Sequence, residues 1–236
     1  MPKHIFKAVA GVGLCAIAWR IVAKRVLWKR RDSPSWPSLS EIDAVKSALI
    51  EAYGADAAGV QVAAAPYRAC PLGAHIDHQG GPVTAVALQL GVLLAFAPQD
   101  SPQVVITSRD FEGQVAFSLD AVPERRDGEV CGGANWGSYA RGAAMALQQR
   151  GYQIRRGIVG VVQGSPGADG GGISSSAAVG VAFLLAFEKA NDLAISAEEN
   201  IELDRIQHTV SSGMASNLAR WAQKLMRCRM LPCNLL

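Results

Sequence analysis

The chain has 236 residues, half of them hydrophobic, so it can bury a core and lacks the composition of a disordered protein. The net charge of +3 is unevenly distributed, because eight basic residues precede the first acidic residue, Asp32. The remaining 15 basic and 20 acidic residues make the rest of the chain mildly acidic, which argues against a nucleic-acid-binding protein. The five cysteines show no zinc-ligand spacing.

Residues 1–34 form a basic and apolar extension. The apolar run at 8–19 is shorter than the roughly twenty residues that cross a membrane. Membrane contact through residues 5–31, organelle targeting and a wrongly assigned start codon are alternative explanations, and the expected location is the cytoplasm. A Ser/Pro-rich linker at 33–38 then leads into the folded body.

The first half of the body is predicted to contain one helix and several strands. Ser40 is expected to cap a helix that carries Ile42, Val45 and Leu49 on one face and ends at Gly54. Strands are expected at 60–65, where Pro66 would stop the first one, at 83–97 as a strand pair or one bent strand, and at 103–108 and 114–119 as a hairpin.

The second half alternates between the two types of element. A helix is predicted at 136–150, a buried strand at 157–163, a helix at 173–191 and a last helix with a capping box at Ser196 and Glu199. The order of elements predicts an α+β domain over residues 35–206.

A glycine-rich segment joins the predicted strand at 157–163 to the helix that follows. Residues 164–178 are Gly-Ser-Pro-Gly-Ala-Asp-Gly-Gly-Gly-Ile-Ser-Ser-Ser-Ala-Ala. Backbone N–H groups of such a loop can converge on an anion, and the start of the helix adds unpaired N–H groups and a positive dipole end. The three serines can bind phosphate oxygens or magnesium. The segment alone fits a phosphate-binding loop and a flexible loop with an ordinary helix cap equally well.

A second unusual segment precedes it, at residues 66–81, with the sequence Pro-Tyr-Arg-Ala-Cys-Pro-Leu-Gly-Ala-His-Ile-Asp-His-Gln-Gly-Gly. Polar side chains that a loop holds directly after a buried strand suit a binding site. A metal site formed by His75, Asp77 and His78 and a purely structural loop are the alternatives, and the spacing of these side chains is not diagnostic of a metal.

Together the two segments resemble the sugar kinases of the galactokinase/homoserine/mevalonate/phosphomevalonate (GHMP) superfamily. Residues 66–81 are similar to the galactokinase signature, an arginine followed by Gly-Glu-His-x-Asp-Tyr-x-Gly-Gly, and residues 172–178 are similar to the Gly-Leu-Ser-Ser-Ser-Ala-Ala phosphate loop. The resemblance covers roughly residues 36–206. It implies the amino-terminal GHMP domain, whose fold is called ribosomal protein S5 domain 2-like and has helices packed on a mixed sheet. The carboxy-terminal GHMP domain is expected to be missing.

One departure from the signature concerns the substrate. Galactokinases have a glutamate at the position of Ala74, where it binds the hydroxyl at carbon 6 of galactose. A substrate carboxylate there would be repelled by glutamate but accommodated beside alanine. This version of the signature resembles the galacturonokinase branch of the family and implies ATP-dependent phosphorylation of D-galacturonate at the anomeric carbon. A galactokinase-type sugar kinase and a non-catalytic pseudokinase or nucleotide-binding module are the alternatives.

The resemblance also implies roles for individual residues. Arg68 would neutralise charge at the transferring phosphoryl group, while His75, Asp77 and Gly81 would bind the sugar. Trp136 would lie near the adenine, although a core tryptophan is equally consistent. The residues implied for ATP binding are Gly170, Gly171, Gly172, Ser174, Ser175 and Ser176, with Ser175 and Ser176 nearest to Mg²⁺.

The resemblance ends beyond residue 206. The family continues into a Gly-x-x-x-Gly-Ile-x-Asp-Gln motif whose aspartate serves as base or orients the sugar hydroxyl. Here His208 stands about where a metal-binding glutamate is expected, and no aspartate follows Asp204. Residues 207–236 are therefore expected to be a divergent tail, and the chain is expected to have weak or absent catalysis.

Overall fold

The computed structural model describes residues 35–72, 84–123, 136–167 and 175–212. The chain divides into two compact units, Met1–Trp36 and Pro37–Leu236, and nearly all of the first lies outside the described residues. The second unit contains every helix and strand of the described residues. Within those residues, no helix combines the length and the apolar character needed to cross a membrane.

Helix α1, Leu39–Tyr53, begins after Ser38 rather than at the predicted cap, Ser40. The Glu41 N–H donates to the Ser38 hydroxyl, and the Ser38 N–H donates to the Glu41 carboxylate at 2.8 Å, which completes a capping box. The helix ends at Gly54, whose φ of 62° lies in the left-handed region that glycine adopts without strain. The predicted apolar face is confirmed, since Ile42, Val45 and Leu49 are buried.

The described strands form one mixed sheet in the order β1-β2-β5-β3-β4. Strands β3 and β5 are parallel and all other neighbours are antiparallel. The prediction that Pro66 stops the first strand was wrong, because β1 lies at an edge of this sheet, where a proline need not donate a ladder hydrogen bond. The strands are β1 Gln61–Leu72, β2 Thr84–Pro98, β3 Gln103–Ser108, β4 Gln114–Ser118 and β5 Ile158–Gly164.

Helices cover both faces of the sheet. On one face α1 contacts β2 and β5. On the other, the main core joins Leu94 and Phe96 of β2 to three further helices. Because successive strand side chains point to opposite faces, burial on both sides explains why positions 91–97 of β2 are buried without a break. These helices are α2 Gly137–Gln149, α3 Ser175–Ala190 and α4 Ala197–Ser212.

Helices α3 and α4 form a close antiparallel pair. A short connection, residues 191–196, joins the end of α3 to the start of α4, and Gly180 lies against Gln207 near the middle of the pair. A Cβ added at Gly180 would lie 2.3 Å from Gln207 Oε1, so a larger residue at position 180 would require the buried Gln207 side chain to shift. The last turn of α4 therefore lies at the same end of the pair as the first turn of α3.

Candidate active site

The two ends of the predicted phosphate-binding segment are both described. Strand β5 ends at Gly164, on the same side of the sheet as the carboxyl end of its parallel neighbour β3. Helix α3 begins at Ser175. The predicted phosphate ligands Gly170, Gly171, Gly172 and Ser174 lie outside the described residues. The structure therefore defines where the chain leaves the sheet and where it enters the helix.

The turn after β3 holds the carboxyl end of β5, residues 163–165, where the chain leaves the sheet; this end is called the exit of β5 below. The Gly164 N–H donates a 2.6 Å hydrogen bond to Asp110 Oδ2, and the Arg109 guanidinium donates to Gln163 Oε1 at 2.9 Å. The Ser108 hydroxyl accepts from the Asp110 N–H at 3.1 Å, which fixes the turn locally. A carboxylate thus accepts the N–H of the last residue of β5.

A second contact holds the next residue. The Ser165 N–H donates to the Gly91 carbonyl at 2.9 Å, and the Gly91 N–H donates to Ser165 Oγ, also at 2.9 Å. Ser165 is buried, so these bonds are shielded from water. Tyr67 Oη lies close to Gly164 as well, because a Cβ added there would be 2.7 Å from that oxygen.

The start of α3 presents the chemistry of an anion site. Its first residues, Ser175 and Ser176, are exposed and half-buried respectively, and the first turn of any helix carries N–H groups without intrahelical partners. Hydroxyl oxygens suit Mg²⁺, which usually keeps water and phosphate ligands and takes only one or two from protein. Among the described residues, no group of three His, Cys, Asp or Glu side chains could hold a metal ion.

Arg68 is half-buried on β1 and follows Tyr67, the residue whose hydroxyl lies near Gly164. Beyond it, Leu72 pairs with Thr84 at the described ends of β1 and β2. The segment between them, with Ala74 and the predicted sugar ligands His75, Asp77 and Gly81, lies outside the described residues. The structure therefore brings Arg68 to the strand pair from which that segment emerges.

Trp136 belongs to the main core at the start of α2 and is 8% exposed. The next residue, Gly137, allows α2 to approach β4 closely, since an added Cβ would lie 2.2 Å from Val115 Cγ2. The indole therefore packs as a core side chain, and its predicted contact with adenine stays a prediction.

Asp204 lies on α4 and is 2% exposed, and its Oδ1 atom has no hydrogen-bond partner among the residues that the structure describes. Burial raises the pKa of this carboxyl from its usual 3.8 to about 7. Backbone position 208 follows Gln207 and lies further along α4, toward the end of the helix pair where α3 begins. The fold thus carries this part of α4 toward the predicted phosphate site.

Comparison with known proteins decides the family. Residues 47–98 match the family model described as the galactokinase galactose-binding signature. A galacturonokinase from Arabidopsis thaliana is 47% identical over 182 residues, which cover 73% of this chain and 43% of that protein. The chain is a galacturonokinase-like member of the GHMP superfamily. The family predicted from the two motifs is confirmed.

Other GHMP proteins match this chain more weakly. A galactokinase from Clostridium perfringens (strain 13 / Type A) is 28% identical over 200 residues, 82% of this chain and 49% of that protein. The crystal structure of Lactococcus lactis galactokinase complexed with galactose is 25% identical, with a TM-score of 0.66 over 74% of this chain and 44% of that one. A mevalonate kinase structure, 14% identical with a TM-score of 0.53, shares the fold. The predicted α+β fold is confirmed, and the chain spans less than half the length of these relatives.

Sequence reasoning missed the residues that hold the exit of β5. Asp110 falls between the two strands of the predicted hairpin, and Tyr67 and Ser165 fall within the two motif segments, where the sequence indicates no role for them. Their partners lie 54, 97 and 74 positions away along the chain. The motifs contain no signal for contacts of such long range.

Proposed function

We propose that the protein is a sugar kinase that transfers the γ-phosphoryl group of ATP to the anomeric hydroxyl of D-galacturonate. The observation that supports it most strongly is the 47% identity to a galacturonokinase, well above the 28% identity to a galactokinase. The fold supports the proposal because β5, α3 and the β1–β2 pair hold the ends of both motif segments. The chain spans 43% of that relative.

The nucleotide would bind at the exit of β5 and the start of α3. Gly170, Gly171 and Gly172 would direct N–H groups at the phosphates, together with the hydroxyls of Ser174, Ser175 and Ser176. Mg²⁺, held by the phosphates and by Ser175 or Ser176, would neutralise charge on the transferring group.

The sugar would bind beside β1. His75, Asp77 and the backbone at Gly81 would hydrogen-bond its hydroxyls and so fix the anomeric oxygen in line with the γ-phosphorus. Arg68 would stabilise the negative charge that develops between the sugar oxygen and the phosphoryl group.

Calorimetric titration tests the two sites separately. We expect the chain to bind Mg·ATP and D-galacturonate, and we expect Asp77→Ala to abolish sugar binding while leaving the Mg·ATP affinity unchanged. The exposed Asp43, on α1, provides a matched control, because Asp43→Ala removes a carboxylate without touching either motif. If the chain binds no Mg·ATP, the proposed function is wrong. Loss of both ligands in Asp77→Ala would contradict the separate assignment of the sugar site.

The side chain at position 74 is predicted to select between the two sugars. Ala74→Glu should lower affinity for D-galacturonate at least about tenfold and raise that for D-galactose, because a carboxylate would face the substrate carboxylate. The calorimetric ratio of the two affinities measures the change. Ala74→Gln is the control, since it adds nearly the same volume without charge. If the Glu and Gln variants lose the same affinity for D-galacturonate, the volume and not the charge of the side chain determines which sugar binds.

A further inference from the structure

We propose that Asp110 and Ser165 are positioning residues for the nucleotide: each holds one residue at the exit of β5 and so directs the chain toward the anion-binding start of α3. This inference rests on the proposed binding of ATP.

Asp110 extends the β3–β5 ladder after the backbone of β3 has turned away. The last backbone bond on this side is donated by Arg109 N–H to the Val162 carbonyl at 3.0 Å. The next N–H of β5 that faces β3, that of Gly164, has no strand acceptor left and donates to Asp110 Oδ2 at 2.6 Å instead. A carboxylate acceptor makes such a bond shorter and stronger than a neutral one.

Ser165 extends the β2–β5 ladder in a similar way, on the opposite side of β5. Backbone pairing between β2 and β5 ends at Val92 and Gly164. One residue further, Ser165 Oγ accepts the Gly91 N–H in place of a main-chain carbonyl, while the Ser165 N–H still donates to Gly91. The main-chain carbonyl of Ser165 is not needed for this pairing, so the chain can leave the sheet while its last residues stay bound.

The exit of β5 leaves little room for a side chain at position 164. Tyr67 Oη and Asp110 Oδ2 lie 2.7 and 3.4 Å from where a Cβ at Gly164 would be, and Gly167 then turns the chain with a φ of 74°. A phosphate site needs N–H groups that converge within a fraction of an ångström, since small misplacements weaken binding and catalysis steeply. Holding the exit on both sides therefore fixes the point from which the chain leaves the sheet.

The test measures Mg·ATP affinity by calorimetry at a temperature where all variants are folded, together with melting temperature and amide exchange of the peptide 158–167. We expect Asp110→Ala to weaken Mg·ATP binding roughly tenfold and to speed exchange at Gly164. Asp110→Asn keeps an acceptor oxygen and should restore most of the affinity. Asp120→Ala, an exposed carboxylate beyond the other end of β4, should change neither quantity.

Ser165→Ala should weaken Mg·ATP binding similarly and also lower the melting temperature, because the Gly91 N–H loses its acceptor. If that variant does not fold, the three aspartate variants decide the question. Faster exchange with unchanged Mg·ATP affinity in Asp110→Ala would overturn the positioning role, and unchanged exchange would overturn the anchor itself. Since exchange is measured without nucleotide, it separates failure of the anchor from failure of the unsubstituted chain to bind Mg·ATP, which would overturn the proposed function.

Discussion

Replacement of Asp204 by asparagine is expected to raise the free energy of unfolding at pH 8 by up to roughly 4 kcal/mol. The carboxyl is 2% exposed and its Oδ1 atom lacks a hydrogen-bond partner among the described residues, so ionisation would place a charge where little water reaches it. Burial accordingly raises its pKa to about 7. Asparagine has nearly the same shape and carries no charge, so it removes the cost of burying an ionised group.

The advantage of Asp204→Asn should depend on pH in a defined direction. Between about pH 4 and pH 7 the unfolded chain loses the Asp204 proton while the folded chain keeps it, because the folded-state pKa is the higher one. The free energy of unfolding of the unsubstituted protein therefore falls as pH rises through this window. Above the window it is lowered by the full free-energy cost of burying the ionised carboxyl. The difference between variant and parent should be small at pH 4 and largest at pH 8.

Urea unfolding at pH 4, 6 and 8 measures this difference. Asp43→Asn on the exposed face of α1 is the control, since it changes the net charge equally without removing a buried carboxyl. Equal shifts in both variants would show that net charge is responsible. A constant advantage of Asp204→Asn at all three pH values would contradict a raised pKa at this site.

Gly157→Ala is expected to destabilise the protein by roughly 3 kcal/mol or more, or to prevent folding. An added Cβ would lie 1.9 Å from the carbonyl oxygen of Gln103, at the start of β3. The backbone at position 157 cannot easily move away, because its N–H donates to the Ser101 carbonyl at 2.7 Å and its carbonyl accepts from the Gln99 N–H at 2.8 Å. The clash is between the added Cβ and main-chain atoms of Gln103, so no side-chain rotation relieves it.

The comparison for this substitution is Gly59→Ala, where an added Cβ meets nothing within 4 Å. Both changes restrict the unfolded chain equally, so their difference in denaturant midpoint reports the clash alone. A destabilisation of the same size in both variants would mean that the chain around Gly157 relaxes without cost.

Local patterns predicted most of the secondary structure. The apolar face of α1, the β3–β4 hairpin and strand β5 are present, and one bond of the predicted capping box of α4 is seen, with the Glu199 N–H donating to Ser196 Oγ at 3.2 Å. These features depend on residues within a few positions of one another, which a sequence displays directly. Pro66 was interpreted wrongly because its effect depends on whether β1 lies at an edge or in the middle of a sheet.

The candidate site also has features that local sequence predicts and features that it does not. Two motifs were sufficient to predict the superfamily, the phosphate segment and Arg68, because close approach of backbone to phosphate requires glycine and small hydroxyl residues in a fixed order. The role of Trp136 could not be chosen from the sequence, since a core tryptophan and one that contacts a nucleotide have the same surroundings in the chain. In the fold this indole is buried at the start of α2.

The sequence by itself determined the family, the order of the elements and the residues proposed to meet ATP and sugar. Only the tertiary structure decided how the start of the glycine-rich segment is held, through Asp110 on Gly164 and Ser165 on Gly91. It also decided that Asp204 is buried with no partner for Oδ1 among the described residues. The physical reason is common to these cases: each depends on contacts between elements distant in the chain, and these arise only when the strands and helices pack together.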